Sequence, residues 1–264
     1  MAKFINYQNL DFKLNSENFY ADKINLSINA SVDPVLVSDG SLLDYAPQGS
    51  LVGSLSADFY LTGSLPNFLD ITGIDSSKVT GLFGGVQINN MYAKSLSFSV
   101  EPFQPIILSV GFDWYGQISI QNIKEQEISD KYNKDVPQYI ANAYRSSMTN
   151  ADLDGVGNIV NFSYNSSCDR PAFFKVDEII PFRVAKLNKK AEISLSSNSL
   201  GESVDIDGKI VTTTLTLKDM YNTSLQTFYV SGVMNNQKYE ISEGGYLLTS
   251  ASIFQQVTET KILI

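Results

Sequence analysis

The residues best suited to chemistry in this chain are acids at close spacing. Asn150, Asp152, Asp154 and Gly155 stand at positions 1, 3, 5 and 6 of the opening that a calcium loop uses: three side-chain oxygens, then a glycine for the turn. Position 8 is Gly157, and position 12 is Asn161, which cannot supply a bidentate carboxylate. The segment therefore reads as an Asp-rich turn, with Asn150, Asp152 and Asp154 kept as a weak calcium candidate. Asp205 with Asp207, or Asp58 with Glu101, could divide general-acid and general-base work. Nothing local fixes the separation on which glycosidase chemistry depends. Gly81-Leu82-Phe83-Gly84-Gly85 and the pair Gly155/Gly157 do not lie between a strand and a helix start, so they read as turns and not as phosphate cradles. Trp114 beside Tyr115 could stack on a sugar ring, but Trp114 continues an inward-facing series and is expected in the core. Cys168 likewise continues the inward face of its strand and is expected to be buried and inert.

Two absences narrow the chemistry further. The 264 residues include no histidine and one cysteine. That removes His-based acid/base catalysis, Ser-His and Cys-His nucleophiles, zinc sites built on His or several Cys, and an internal disulfide. No enzyme activity, cofactor or resident metal is expected. The net charge of −9 disfavours a general grip on nucleic-acid phosphates. Residues 1–120 hold five lysines against eleven acids, net −6, whereas residues 158–264 hold ten basic and eleven acidic groups, net −1. No apolar run approaches the ~18 residues of a spanning helix, and Met1–Asn6 has no apolar signal region, so a membrane partner is not expected and synthesis in a cytoplasm is.

The elements that must carry these residues are strands. Apolar and polar residues alternate along Ile24–Val32, Leu51–Leu61, Leu96–Val100 and Leu108–Ile120, then along Val160–Tyr164, Ala191–Leu195, Val211–Leu217 and the final thirty-five or so residues. Asp39-Gly40, Gly84-Gly85, Asp207-Gly208, Asn235-Asn236 and Gly244-Gly245 supply turn chemistry between them. Half-buried antiparallel strands at this spacing predict an all-β sandwich or barrel. One segment departs from the pattern: from Lys124 to Asp135, seven of twelve residues are charged. Beyond it Asp135-Val136-Pro137-Gln138 reads as a helix start, and Ile140, Ala143, Tyr144 and Ser147/Met148 fall on one helical face. This predicts two β domains, 1–120 and 158–264, joined by a charged connector, 121–157, with a short helix.

The two β halves look related. Asn25-Leu26-Ser27-Ile28-Asn29-Ala30-Ser31-Val32-Asp33 aligns with Asn161-Phe162-Ser163-Tyr164-Asn165-Ser166-Ser167-Cys168-Asp169 at a constant offset of 136 residues. All five polar positions match, and the four inward ones are apolar or small. Asp58–Gly63 lies roughly opposite Glu192–Gly201, and Tyr92–Pro102 weakly opposite Tyr246–Gln256. Core packing does not dictate identity on an outward face, so an internal duplication with a shared interface is the simpler account. Asn25, Ser27, Asn29, Ser31 and Asp33, with Asn161, Ser163, Asn165, Ser167 and Asp169, are the candidate assembly residues.

The segment Tyr92–Gly116 joins a Ser-rich strand through Glu101-Pro102-Phe103-Gln104-Pro105 to a strand ending Asp113-Trp114-Tyr115-Gly116. This pattern resembles the closing strand pair of tailed-phage tail tube proteins. The strand before a proline and a long loop at the start of each half is similar too. The resemblance covers most of 20–120 and, more faintly, 158–264. It implies a tail tube-like virion protein assembled in the host cytoplasm: tandem β-barrels that form homo-oligomeric rings, trimeric or hexameric, around a DNA channel. Its partners would be itself and other tail proteins, with DNA only as transiting cargo. The tandem halves and the charged connector depart from a one-barrel subunit, so a neck, hub or head-decoration role stays open, as does a carbohydrate-binding or adhesin module. An acidic lumen repels transiting DNA, which suits the charge of the first half. Asp58, Glu101 and Asp113 are the lumen candidates.

Overall fold

A computed structural model describes residues 12–30, 32–47, 51–61, 64–73, 78–101, 104–116, 118–120, 145–150, 159–176, 178–197, 210–218, 224–241 and 247–257. The first half contributes β1 (Phe12–Leu14), β2 (Glu17–Phe19), β3 (Ala21–Asn29), β4 (Val32–Leu36), β5 (Leu42–Pro47), β6 (Val52–Tyr60), β7 (Val79–Phe83), β8 (Val86–Val100), β9 (Ile107–Tyr115) and β10 (Ile118–Ile120). The second contributes β11 (Arg145–Asn150), β12 (Ile159–Asp169), β13 (Ala172–Phe173), β14 (Arg183–Val184), β15 (Leu187–Ser197), β16 (Ile210–Lys218), β17 (Ser224–Ile241) and β18 (Leu247–Val257). Every alternating segment in these residues forms a strand. Among the described residues the helical content is a single 3-10 turn at Asn67–Leu69, and no helix among them is long and apolar enough to cross a membrane.

All the ladder pairings are antiparallel, and one order of pairing occurs twice. In the first half β3 pairs β6, β6 pairs β9, β9 pairs β8, β8 pairs β7 and β7 pairs β1. In the second, β12 pairs β15, β15 pairs β18, β18 pairs β17, β17 pairs β16 and β16 pairs β11. Each order has a two-stranded excursion after its first strand: β4 with β5, and β13 with β14. β3 and β12 thus hold the same place in the two orders. Tyr92–Pro102 and Tyr246–Gln256 do not, because β8 matches β17 and β18 matches β9. That alignment compared residue types, whereas place in a sheet is set by pairing.

The halves do not separate at the expected boundaries. β12 also pairs β8, Phe162 opposite Val100 through Ser167 opposite Ser95, so a single sheet runs from β3 through β8 and β12 to β11. The apolar sides of both halves meet in one core. Phe98 of β8 lies 5.4 Å from Tyr164 and 5.1 Å from Phe228 of β17, ring centre to ring centre. Residues 145–150 are a strand on the edge of β16, not the last turn of a helix; Ser147 and Met148 stand opposite Thr216 and Leu215. Pairing with that open edge outweighs the helical spacing. The rest of the expected connector, 121–144 and 151–157, lies outside the described residues.

Turn residues act as expected at Gly40, Gly84 and Gly85, all at positive φ. Asn235-Asn236 does not turn the chain: β17 runs through it, with a register shift between Met234 and Asn236. A bulge takes up the extra residue and keeps the strand paired. Asp207-Gly208 and Gly244-Gly245 lie outside the described residues.

Candidate functional site

Residues opposed across antiparallel strands share a face, so the registers trace the polar side of the sheet. One row runs Asn25, Ser56, Gly111, Ser95, Ser167, Lys190. The next runs Lys23, Asp58, Ser109, Ser97, Asn165, Glu192. A third runs Ser99, Ser163, Ser194, Ser252, Asn236 across five strands. Small hydroxyls occupy the face because alternation reserves it for water while Leu55, Val110, Leu96, Tyr164 and Ile193 fill the core behind. Hydroxyl contacts cross the strands at Ser27–Ser54, 3.3 Å, and Ser196–Ser250, 3.3 Å. Ser252 donates to the Asn235 carboxamide oxygen.

The structure brings most of the described assembly and lumen candidates onto this one face. Asn25, Ser27 and Asn29 lie exposed on β3, Asn161, Asn165 and Ser167 exposed on β12, and Ser163 half-buried there. Asp58 is half-buried in the second row. Asp113 stands opposite Ser54 and Tyr92 and pairs with Lys94 at 3.1 Å. Glu101 is exposed just beyond β8, beside a cleft of about 430 Å³ that Asn161, Ser163, Glu192 and Asn236 also line. Asp33 sits apart on the β4–β5 hairpin, and Asp169 accepts a 2.6 Å hydrogen bond from the Asn188 amide. Because β8 and β15 occupy both edges of β12, its residues are open on their face only. β3 pairs with β6 alone among the described residues, so it keeps an edge. Ser31, Asp152 and Asp154 lie outside the described residues, and of Asn150 only the backbone, in β11, is described. Among the described residues no cluster of three metal-ligating side chains occurs.

Trp114 is fully buried, its indole against the bare backbone of Gly53, as its place in the inward series required. Cys168 is buried too, and burial pushes its thiol pKa up, away from the reactive thiolate.

Sequence reasoning missed a buried basic latch where the halves join. Arg170 Nε donates to the Ala93 carbonyl at 2.7 Å, Lys186 Nζ to the Asp70 carbonyl at 2.7 Å, and the Tyr115 hydroxyl to the Arg170 carbonyl at 2.9 Å. Burial lowers the pKa of both cations, since the charged form loses water. Each bond ties a second-half residue to the first half. The one available signal was that Arg170 continues the inward series Phe162, Tyr164, Ser166, Cys168, where a cation has to find carbonyls.

No known family model matches the chain, and no curated protein matches it. The arrangement itself offers, among the described residues, a broad polar face and open strand edges that include that of β3.

Proposed function

We propose that this protein is a non-enzymatic structural subunit of a tailed-phage virion, a tail tube or tube-like neck or hub protein that closes into rings around a DNA channel. The observation that carries the reading is the pairing order that occurs twice along one sheet. Under it, each order is one tube-like β-barrel unit, and the chain holds two in tandem. The resemblance of Tyr92–Gly116 to tail tube proteins supports the same reading. So does the row-by-row polar face, because a channel wall needs hydroxyls and amides that present no sticky patch to a passing polyanion. Asp58, Glu101 and Asp113 would add repulsion there. The partners are further copies of the chain and other tail proteins, and the site of residence is the virion tail.

Negative-stain images of the purified protein test this. Rings of uniform diameter with a central opening are expected, and antibody labelling should fall on the tail. Labelling of the capsid surface would instead identify a head-decoration protein. A monomer at high concentration, absent from any particle, would overturn the proposal.

The cleft beside Glu101 favours a second reading, a carbohydrate-binding or adhesin module, because its serines, asparagines and two glutamates could bond sugar hydroxyls. Its aromatic lining residue, Phe162, is buried and offers no stacking platform. Retention of a defined glycan on an array would favour that module.

A further inference from the structure

The joint between the halves uses the outer edge of β12, first in its order, and the far part of β8, fourth in its order. The strands holding those places in the other order are β3 and β17. Among the described residues β3 pairs with β6 alone, and β17 beyond Val233 pairs with β18 alone. The edges that make the joint inside the chain are therefore, among the described residues, open on the equivalent strands of the other order.

The equivalence can be set residue by residue. β8 shifts register between Ala93 and Ser95, and β17 shifts between Met234 and Asn236. Matching the two bulges puts Ser95 on Asn236 and Val100 on Ile241. The 136-residue offset puts Leu26 on Phe162 and Ile28 on Tyr164. The internal joint pairs Phe162 with Val100, Ser163 with Ser99, Tyr164 with Phe98 and Asn165 with Ser97. Transferred, these become Leu26 with Ile241, Ser27 with Glu240, Ile28 with Tyr239 and Asn29 with Lys238.

We propose that β3 of one copy adds antiparallel to the open edge of β17 of the next, repeating between chains the joint that β12 and β8 make within one. The transferred pairs make chemical sense. Ile28, Tyr239 and Ile241 belong to the core-facing side of their strands, yet are 51%, 45% and 79% exposed. Their internal counterparts Tyr164, Phe98 and Val100 are 3%, 5% and 5% exposed, because there a neighbouring strand completes the core. The other two pairs, Ser27 with Glu240 and Asn29 with Lys238, are polar and oppose no like charges. A second copy would cover the apolar residues and pair two open edges, which are a hazard when left bare.

Each chain offers one β3 edge and one β17 edge, so the contact is head-to-tail and must close by rotation or run on. Where Arg170 latches the internal joint, the equivalent position on the first half is Pro34, which has no cation to offer. The joint between copies is accordingly the weaker one and should open on dilution. Ring closure rests on the tube reading; the strand pairing does not.

The test is a directed cross-link. Opposed residues lie about 4.5–5.5 Å apart at Cα, within the ~4.4–6.8 Å that a disulfide spans. A chain carrying Ser27→Cys, mixed with one carrying Glu240→Cys under mild oxidation, should give a covalent mixed dimer. Ser27→Cys mixed with Lys190→Cys, which lies on the same face of an interior strand, should not. Separately, Tyr239→Lys with Ile241→Lys changes only exposed side chains, so the unfolding transition should hold. The concentration for half-association should rise at least tenfold. Unchanged association in that variant, or association without the Ser27–Glu240 link, overturns the joint. A chain that is monomeric at every concentration also overturns it. Rings with a channel but no link would leave the tube reading standing without the joint. A link in assemblies lacking a channel would establish the joint and remove the tube reading.

Discussion

Replacing Phe98 with alanine asks whether the two halves fold as one body. The ring is 5% exposed and touches Phe162 and Tyr164 of the adjoining strand and Phe228 of β17, at 6.3, 5.4 and 5.1 Å between centres. All three partners belong to the second half, while Phe98 belongs to the first. Truncating a buried phenylalanine costs ~3–5 kcal/mol, from lost transfer energy and the cavity left behind. For a chain of this size each kcal/mol lowers Tm by about 2 °C, so a drop of roughly 6–10 °C is expected. Scanning calorimetry should show one endotherm for the parent and one for Phe98→Ala, with the whole transition displaced. A single core requires this, because the cavity weakens both halves together. Two endotherms in the parent, with only the first moved by the mutation, would refute the shared core and restore independent domains.

Gly53→Ala places a methyl group against the Trp114 indole and the Ser27 carbonyl, and should cost ~1–3 kcal/mol in urea unfolding. Burial raises the pKa of the Tyr164 hydroxyl, so its contribution to stability is complete below the ordinary tyrosine value of about 10 and is lost as pH rises through the raised folded value. Tm should therefore fall above pH ~10. Lys186, lowered by burial, acts with the opposite sign, so the parent-minus-Tyr164→Phe difference isolates the tyrosine. Cys168 should react with a thiol reagent at least ~100-fold more slowly in the folded chain than in denaturant, since attack needs the exposed thiolate; equal rates would contradict its burial.

Much of the candidate face was legible because it is a local property. A residue's side of a strand follows from parity alone, and Asn25, Ser27, Asp58, Asn165 and Ser167 came out on the wet side as alternation required. Trp114 and Cys168 came out buried for the same reason. The latch was harder to see, since Arg170 and Lys186 reach backbone carbonyls, and a carbonyl carries no residue type for a sequence to display. The helix over 136–148 failed at its far end for a related reason. Its spacing matched a helical face, but the open edge of β16 offered residues 145–150 a ladder of backbone bonds that spacing cannot reveal.

The sequence by itself determined that this chain is predominantly β in the described residues, which side of each strand meets water, and where Gly40, Gly84 and Gly85 turn it. Those features depend on neighbours one to four residues away. Only the tertiary structure decided that β8 accepts β12, that two expected domains share one core, and that Asn235-Asn236 forms a bulge within β17 instead of a turn. Strand partnership joins residues some seventy positions apart through N–H and C=O groups that are the same in nearly every residue. Side-chain pattern fixes the face of a strand, while its neighbour is chosen where edges, twist and core volume meet.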